Sequence, residues 1–241
     1  MSSEQPIGLC NLDYAPRYEE ILERNLPPSF AAFGEFFAGT QRLHTLGAML
    51  ESHVAGDGKQ VLNIGSGPFA TEIFVAALQG QTITAVDYTP EFAPFYDLFR
   101  REGHLQTTQF QQADAMEIEF EPESLDLIIL HDVLYEPALD LEALVDRLRP
   151  FLKPGGLLFL DFVNSRTLWI WKLLGRPNQF RRYDPRRVRA FLEGTGFEIV
   201  DWRRPQRSSS RLVRLFHALL WHILRASNNY AVLARKTATD R

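Results

Sequence analysis

Cysteine is nearly missing from this chain. Cys10 is the only one in 241 residues, which excludes an internal disulfide framework and fits a reducing compartment. No apolar run reaches the roughly 18–20 residues needed to span a bilayer. The polar start, Met1 to Pro6, lacks the charged-then-apolar pattern of a secretory signal, so a cytoplasmic location is expected. No group of His, Cys, Asp or Glu has metal-ligand spacing, and no metal is expected. Repeats and low-complexity segments are missing too. What remains is a chain of one-domain length, 45% hydrophobic, with enough apolar material for a substantial core.

Charge is unevenly spread. Residues 1–162 carry 9 Lys+Arg against 25 Asp+Glu, whereas residues 163–241 carry 17 against 5, within an overall net charge of −4. Such a split suggests that one part of the surface meets an anionic partner.

The organising stretch is residues 59–70, KQVLNIGSGPFA. An apolar strand through Val61, Leu62 and Ile64 breaks at Gly65-Ser66-Gly67, and a helical pattern over residues 70–78 follows. Glycine there lets a ligand approach the backbone closely. A second strand in residues 82–90, TITAVDYTP, ends in Asp87, 22 residues after Gly65. A doubly wound fold places an acid on a ribose diol at about that spacing. An ordinary strand-to-helix turn is the bland alternative for the loop, but the two pieces together propose a nucleoside ligand.

Residues 152–160, LKPGGLLFL, lie between an amphipathic helix and another apolar strand. With VLNIGSG and Asp87 they make the chain resemble class I S-adenosylmethionine-dependent methyltransferases, over roughly residues 60–162. The resemblance implies an α/β, doubly wound, Rossmann-like sheet of seven strands with an antiparallel strand-seven edge. It implies S-adenosyl-L-methionine as cofactor, with contacts from Asn63, Gly65, Ser66, Gly67, Asp87, Tyr88, Asp114, Ala115 and His131. Asp87 would hold the ribose hydroxyls and Asp114 would mark the adenine. Asn63 departs from the family, which often carries Asp there.

A narrower resemblance links Gly65-Ser66-Gly67-Pro68, Asp87-Tyr88-Thr89 and Tyr14-Ala15-Pro16-Arg17 to the small-amine N-methyltransferases that act on nicotinamide, phenylethanolamine and indolethylamines. In that group an acid just past strand five orients the amine, and Asp161 lies within a residue of that place. The catalytic candidates are Asp161, Tyr18 and Glu136. Methyl transfer is an in-line displacement, so alignment is the first task, and a base is needed only if the nucleophile must lose a proton. His131, Asp132, Tyr135 and Glu136 supply base candidates, against the reading that strand-end polar groups merely bond loop backbone. Many relatives carry a histidine where Glu136 falls.

Residues 1–55 are expected to form a helical lid, with Tyr14 or Tyr18 touching cofactor or substrate. The catalytic domain then occupies residues 56–241. Helices are expected over residues 90–102 and 139–152, and at Asp184-Pro185. The basic cluster Arg181, Arg182, Arg186, Arg187 and Arg189 reads as a solvated face. An apolar, arginine-edged helix at 209–226 could cover the sheet, form a dimer seam or lie on a membrane surface.

The expected function is therefore methyl transfer to a small organic acceptor, with an amine favoured by the loop motifs. Two alternatives stay open: a membrane-surface enzyme acting on a quinone or lipid-like acceptor, and a non-catalytic nucleoside-cofactor-binding protein. A nicotinamide-dependent oxidoreductase would share the loop and Asp87, but LKPGG argues against it. Nucleic acid is disfavoured, since no aromatic-plus-proline catalytic tetrapeptide is present. The sequence does not set the oligomeric state.

Overall fold

The structure is a computed structural model that describes Glu20 and residues 43–68, 71, 75–173, 181–205 and 227–238. Seven strands form one sheet: β1 (Gln60–Ile64), β2 (Thr82–Asp87), β3 (Thr108–Gln112), β4 (Leu125–Leu130), β5 (Leu152–Val163), β6 (Phe197–Arg203) and β7 (Asn229–Lys236). Their order is β3-β2-β1-β4-β5-β7-β6. β7 runs antiparallel to both β5 and β6, whereas β1, β2 and β3 pair in parallel, as do β4 and β5. The expected doubly wound sheet with its antiparallel edge is thus the observed one. Near-continuous apolar runs make β4 and β5 strands of a sheet buried on both faces.

The chain divides into two compact units, residues 1–119 and 120–241. In the first, α1 (Leu43–Leu50) buries Leu43, Leu46 and Leu50, as their helical spacing predicts. The helix expected at 70–78 is described only at Thr71 and in a 3-10 turn at Ala76–Leu78. The segment expected as one helix over 90–102 begins as a 3-10 turn led by Pro90 and continues as α2 (Ala93–Arg101). Phe95, Tyr96 and Phe99 of α2 are buried. Burial of each such side chain stabilises the fold by about 1.5–3 kcal/mol.

In the second unit, Asp140 caps α3 (Leu141–Leu148) by accepting the Ala143 N–H at 3.0 Å. α4 (Leu168–Leu173) follows β5, and α5 (Pro185–Gly194) starts at Asp184, whose carboxylate accepts the Arg186 N–H. Proline at the first helical position loses no hydrogen bond, so Asp184-Pro185 is a natural entry.

LKPGG behaves differently from the expected simple turn into a strand. Leu125 pairs with Leu152 and Leu127 with Leu157, so two residues along β4 match five along β5. The intervening residues form a bulge inside β5. A Cβ on Gly156 would stand 2.9 Å from the Lys153 carbonyl oxygen and 3.2 Å from that of Leu125. Only glycine fits the bulge against both backbones.

The basic cluster is not simply solvated either. Arg181 pairs with Asp140, Arg187 with Glu142, and Arg189 with Glu193 while stacking 4.7 Å from the Trp202 ring. No helix among the described residues is long and apolar enough to cross a membrane. The helix expected at 209–226, Tyr14, Tyr18 and most of the 1–55 lid lie outside the described residues.

Candidate active site

The first unit gathers the glycine loop around Asp87. Gly65 and Gly67 both have positive φ, 64° and 53°, a region costly for any side chain with a Cβ. The Ser66 N–H donates to the Val86 carbonyl at 3.1 Å, fastening the loop to the end of β2. Asp87 Oδ2 accepts the Gly67 N–H at 3.0 Å and Oδ1 accepts the Thr89 N–H at 2.9 Å. Its backbone carbonyl accepts the Ala113 N–H at 3.0 Å, which ties in the exit of β3. The carboxylate is buried, and two charge-assisted bonds offset part of its desolvation. Asp87, read from spacing as a ligand group alone, is also the clamp that shapes the loop.

The other candidates of this unit take distinct places. Asn63 is buried on β1 in register with Ala85. The Ser66 hydroxyl is buried without a hydrogen-bond partner among the described residues. Tyr88 stands 75% exposed beside the buried Asp87. Asp114 Oδ1 accepts the Met116 N–H at 2.8 Å, opening the turn that buries Ala115.

In the second unit, the ends of β4 and β5 bring together His131, Asp132 and Asp161. Asp161 Oδ2 lies 2.9 Å from His131 Nδ1, and Oδ1 accepts the Asp132 N–H at 2.8 Å. Asp161 is 3% exposed. His131 Nε2 has no hydrogen-bond partner among the described residues and lies 3.7 Å from Asp132 Oδ2. The Phe159 ring packs edge-on against the imidazole, with centroids 5.9 Å apart. Asp132 has φ of 56°, in the left-handed region. Aspartate tolerates that region better than most residues, at a cost of order 1 kcal/mol. The bent backbone lets the Asp132 N–H reach Asp161 while its carboxylate approaches His131.

This grouping is what reading along the chain misses. His131 and Asp161 are 30 residues apart, with no ligand-like spacing. Yet Leu130 pairs with Leu160 across β4 and β5, so the next residue of each strand stands opposite the other. Strand register was the available signal. The three side chains offer donor atoms within 4.8 Å of one another, a set also able to hold a metal ion, where spacing alone suggested none.

Asp161 is therefore engaged through both oxygens, where the resemblance gave it a substrate amine. Glu136 is half-buried in the following turn, its N–H donating to the Val133 carbonyl, and stands outside the His131 cluster. That turn is clamped from outside. Arg181 donates its backbone N–H to the Tyr135 carbonyl at 2.8 Å and Nη1 to the Pro137 carbonyl at 3.1 Å. The Tyr183 hydroxyl donates to the Leu139 carbonyl at 3.1 Å, and burial raises its pKa.

Comparison with known proteins agrees with this fold. A methyltransferase-domain family matches residues 62–160. The chain is 31% identical over 194 residues to the ubiquinone biosynthesis O-methyltransferase of Xanthomonas campestris pv. campestris, covering 70% of this chain and 80% of that protein. It is 26% identical over 197 residues to the hybrid PKS-NRPS synthetase lepA of Aspergillus flavus, covering 78% of this chain but spanning only 5% of that far longer protein. The fold is shared with the 1,6-didemethyltoxoflavin-N1-methyltransferase of Burkholderia thailandensis at a TM-score of 0.60 and 19% identity, over 99% of this chain and 93% of that one. The chain belongs to the class I S-adenosylmethionine-dependent methyltransferases, and its cofactor is S-adenosylmethionine.

Proposed function

We propose that this methyltransferase methylates a hydroxyl group on a small organic acceptor. The carrying observation is the commitment of Asp161, whose two oxygens already accept from His131 and from the Asp132 N–H. An ammonium there would compete with the His131 ring and the Asp132 N–H for the same carboxylate. The similarity to a protein named as an O-methyltransferase supports an oxygen nucleophile.

The residues of the first unit fit the cofactor. Each Asp87 oxygen uses one loop N–H and keeps a second lone-pair direction for a ribose hydroxyl. Ser66 holds a buried hydroxyl without a partner among the described residues, which a ligand at the loop would satisfy. Gly65 and Gly67 present bare backbone to the methionine portion. Asn63 would bond the loop or the ammonium group, Asp114 would face the adenine beside Ala115, and exposed Tyr88 would lie over the ribose. When bound, the sulfonium supplies an electrophilic methyl carbon. The protein's share is alignment and exclusion of water.

The test is a product analysis. Purified protein is incubated with S-adenosylmethionine and a panel of hydroxyarenes and arylalkylamines, and the methylated atom is located by fragmentation. O-methyl products are expected, and products methylated only at nitrogen would overturn the hydroxyl reading. Calorimetric titration of the cofactor onto wild type and Asp87→Asn should show at least a tenfold affinity loss in the variant. Equal affinity would remove Asp87 from the site.

A further inference from the structure

His131 and Asp161 form a buried pair at the carboxyl ends of β4 and β5. We propose that His131 is the catalytic base that takes the proton of the acceptor hydroxyl, with Asp161 as its positioning residue. The inference rests on the hydroxyl-acceptor reading given above.

Three observations carry it. First, an aspartate 2.9 Å from Nδ1 holds the ring proton on that nitrogen, because an ionised carboxylate only accepts. The lone pair of the neutral imidazole is then on Nε2, and the ring orientation is fixed. Second, Nε2 has no hydrogen-bond partner among the described residues, although the His131 side chain is only 9% exposed. A buried nitrogen of that kind costs stability unless a bound group supplies its partner. A hydroxyl proton is the partner that a lone pair accepts. Third, the product of proton transfer is provided for. The imidazolium formed by the transfer would lie between two carboxylates, Asp161 at Nδ1 and Asp132 at 3.7 Å from Nε2.

Position agrees with chemistry. His131 immediately follows β4, at the carboxyl end of a parallel strand, where doubly wound sheets bind their ligands. The titratable groups against the imidazole among the described residues are Asp161 from β5 and Asp132 from its own turn. Phe159 contributes an apolar ring edge.

The step balances without a further reagent. The acceptor's O–H bond breaks, its proton passes to Nε2, and its oxygen forms the new bond to the methyl carbon. The electron pair of the old carbon–sulfur bond stays with sulfur, and the imidazolium returns its proton to water. A phenolate-forming acceptor leans on the base least, and an alcohol of low acidity leans on it most.

The experiment compares wild type, His131→Gln and Asp161→Asn with hydroxyarenes of graded acidity, under saturating cofactor and across neutral to alkaline pH. Base catalysis of this kind contributes about 10²–10⁴-fold. His131→Gln should lose that much kcat on weakly acidic acceptors, and far less on acceptors already ionised in solution. Asp161→Asn should lose kcat with KM little changed. A readout independent of turnover is the visible spectrum of a nitrophenol bound with S-adenosylhomocysteine. Wild type should shift it toward the phenolate at a pH where free nitrophenol is largely protonated, and His131→Gln should not.

Nitrogen-15 spectra of the wild-type histidines should show Nδ1 protonated at His131, a signature that Asp161→Asn disturbs. Equal loss by His131→Gln on ionised and un-ionised acceptors would overturn the base assignment. So would activity that chelation abolishes and a divalent cation restores, since Nε2 would then be a metal ligand. Loss of cofactor affinity in His131→Gln would also overturn it, by making His131 a cofactor contact. If only amines are methylated, the hydroxyl reading fails, whereas a bound phenolate spectrum dependent on His131 would still report a proton acceptor.

Discussion

The Tyr96 hydroxyl donates to the Gly67 carbonyl at 3.1 Å, from a ring fully buried on α2 and tilted against Phe110 with centroids 4.9 Å apart. With Asp87 holding the N–H of the same glycine, both polar groups of Gly67 are fixed. Loop geometry thus depends on a residue 29 positions away. Tyr96→Phe keeps the ring packing and leaves the Gly67 carbonyl short of a donor. A stability loss of about 0.5–1.5 kcal/mol is expected, with a several-fold weaker affinity for S-adenosylmethionine. Urea denaturation and calorimetry read the two effects separately, and unchanged affinity would mean that the loop keeps its shape without this bond.

Much of this fold is written in local pattern. Apolar runs mark the strands, Asp184-Pro185 marks the start of α5, and the spacing from Gly65 to Asp87 marks the loop and its acid. Each depends on neighbours a few residues apart or on a single crossover. His131 and Asp161 do not, since they meet only after β4 and β5 settle into register. Spacing carries no trace of a contact made by strand pairing. The ion pairs of Arg181 and Arg187 are hidden in the sequence for a related reason. Their acidic partners, Asp140 and Glu142, lie more than 40 residues earlier, so the basic run looks unpaired until the chain returns. The LKPGG bulge is intermediate. Its glycines announce a break, but Gly156 faces the Leu125 carbonyl only when β5 pairs with β4.

That crowding makes Gly156 a sharp test of the bulge. Two of the three atoms that would crowd the Cβ of Gly156→Ala, the nearest among them, are backbone oxygens, which cannot swing aside as the Leu152 side chain could. A loss of about 1–3 kcal/mol is expected, as for overpacking generally. Gly194, the last residue of α5, has open space where its Cβ would go and no positive φ. Gly194→Ala should be neutral or stabilising by up to about 1 kcal/mol. Denaturation midpoints of the two variants, run side by side, should move in opposite directions or at least differ by that margin.

Asp140 has two tasks that substitution can separate. Its Oδ1 caps α3 through the Ala143 N–H, and Oδ2 pairs with Arg181. The ion pair is part-exposed on both sides, so screening leaves it worth at most about 1 kcal/mol. The cap is worth about 1 kcal/mol by itself. Asp140→Asn retains an oxygen for the cap and loses only the charge, whereas Asp140→Ala loses both. The alanine variant should therefore be destabilised at least twice as much as the asparagine variant. Equal losses would mean that the pair with Arg181, rather than the cap, holds the turn after His131.

Lys236 gives stability a pH dependence whose sign follows from its surroundings. Its ammonium is buried at the end of β7 and donates to the Leu152 carbonyl at 2.6 Å and the Arg149 carbonyl at 3.2 Å. Burial, the leading cause, lowers its pKa from the ordinary 10.5; nearby Glu123 opposes the shift and Arg149 adds to it. A depressed lysine pKa means that, between the folded value and 10.5, the unfolded chain binds more protons. This group's contribution to stability then rises with pH across that window, and below it the fold carries the full cost of the buried charge. Lys236→Met removes that rise. It also takes the ammonium donor from the Leu152 carbonyl, at about 1–3 kcal/mol if that oxygen stays dry, while the Arg149 carbonyl keeps the Leu152 N–H. Urea titrations at several pH values from neutral to 10 should give a stability difference, wild type minus Lys236→Met, that grows with pH. A difference that shrinks with pH would mean that the carbonyl bonds outweigh desolvation and that the folded pKa is raised.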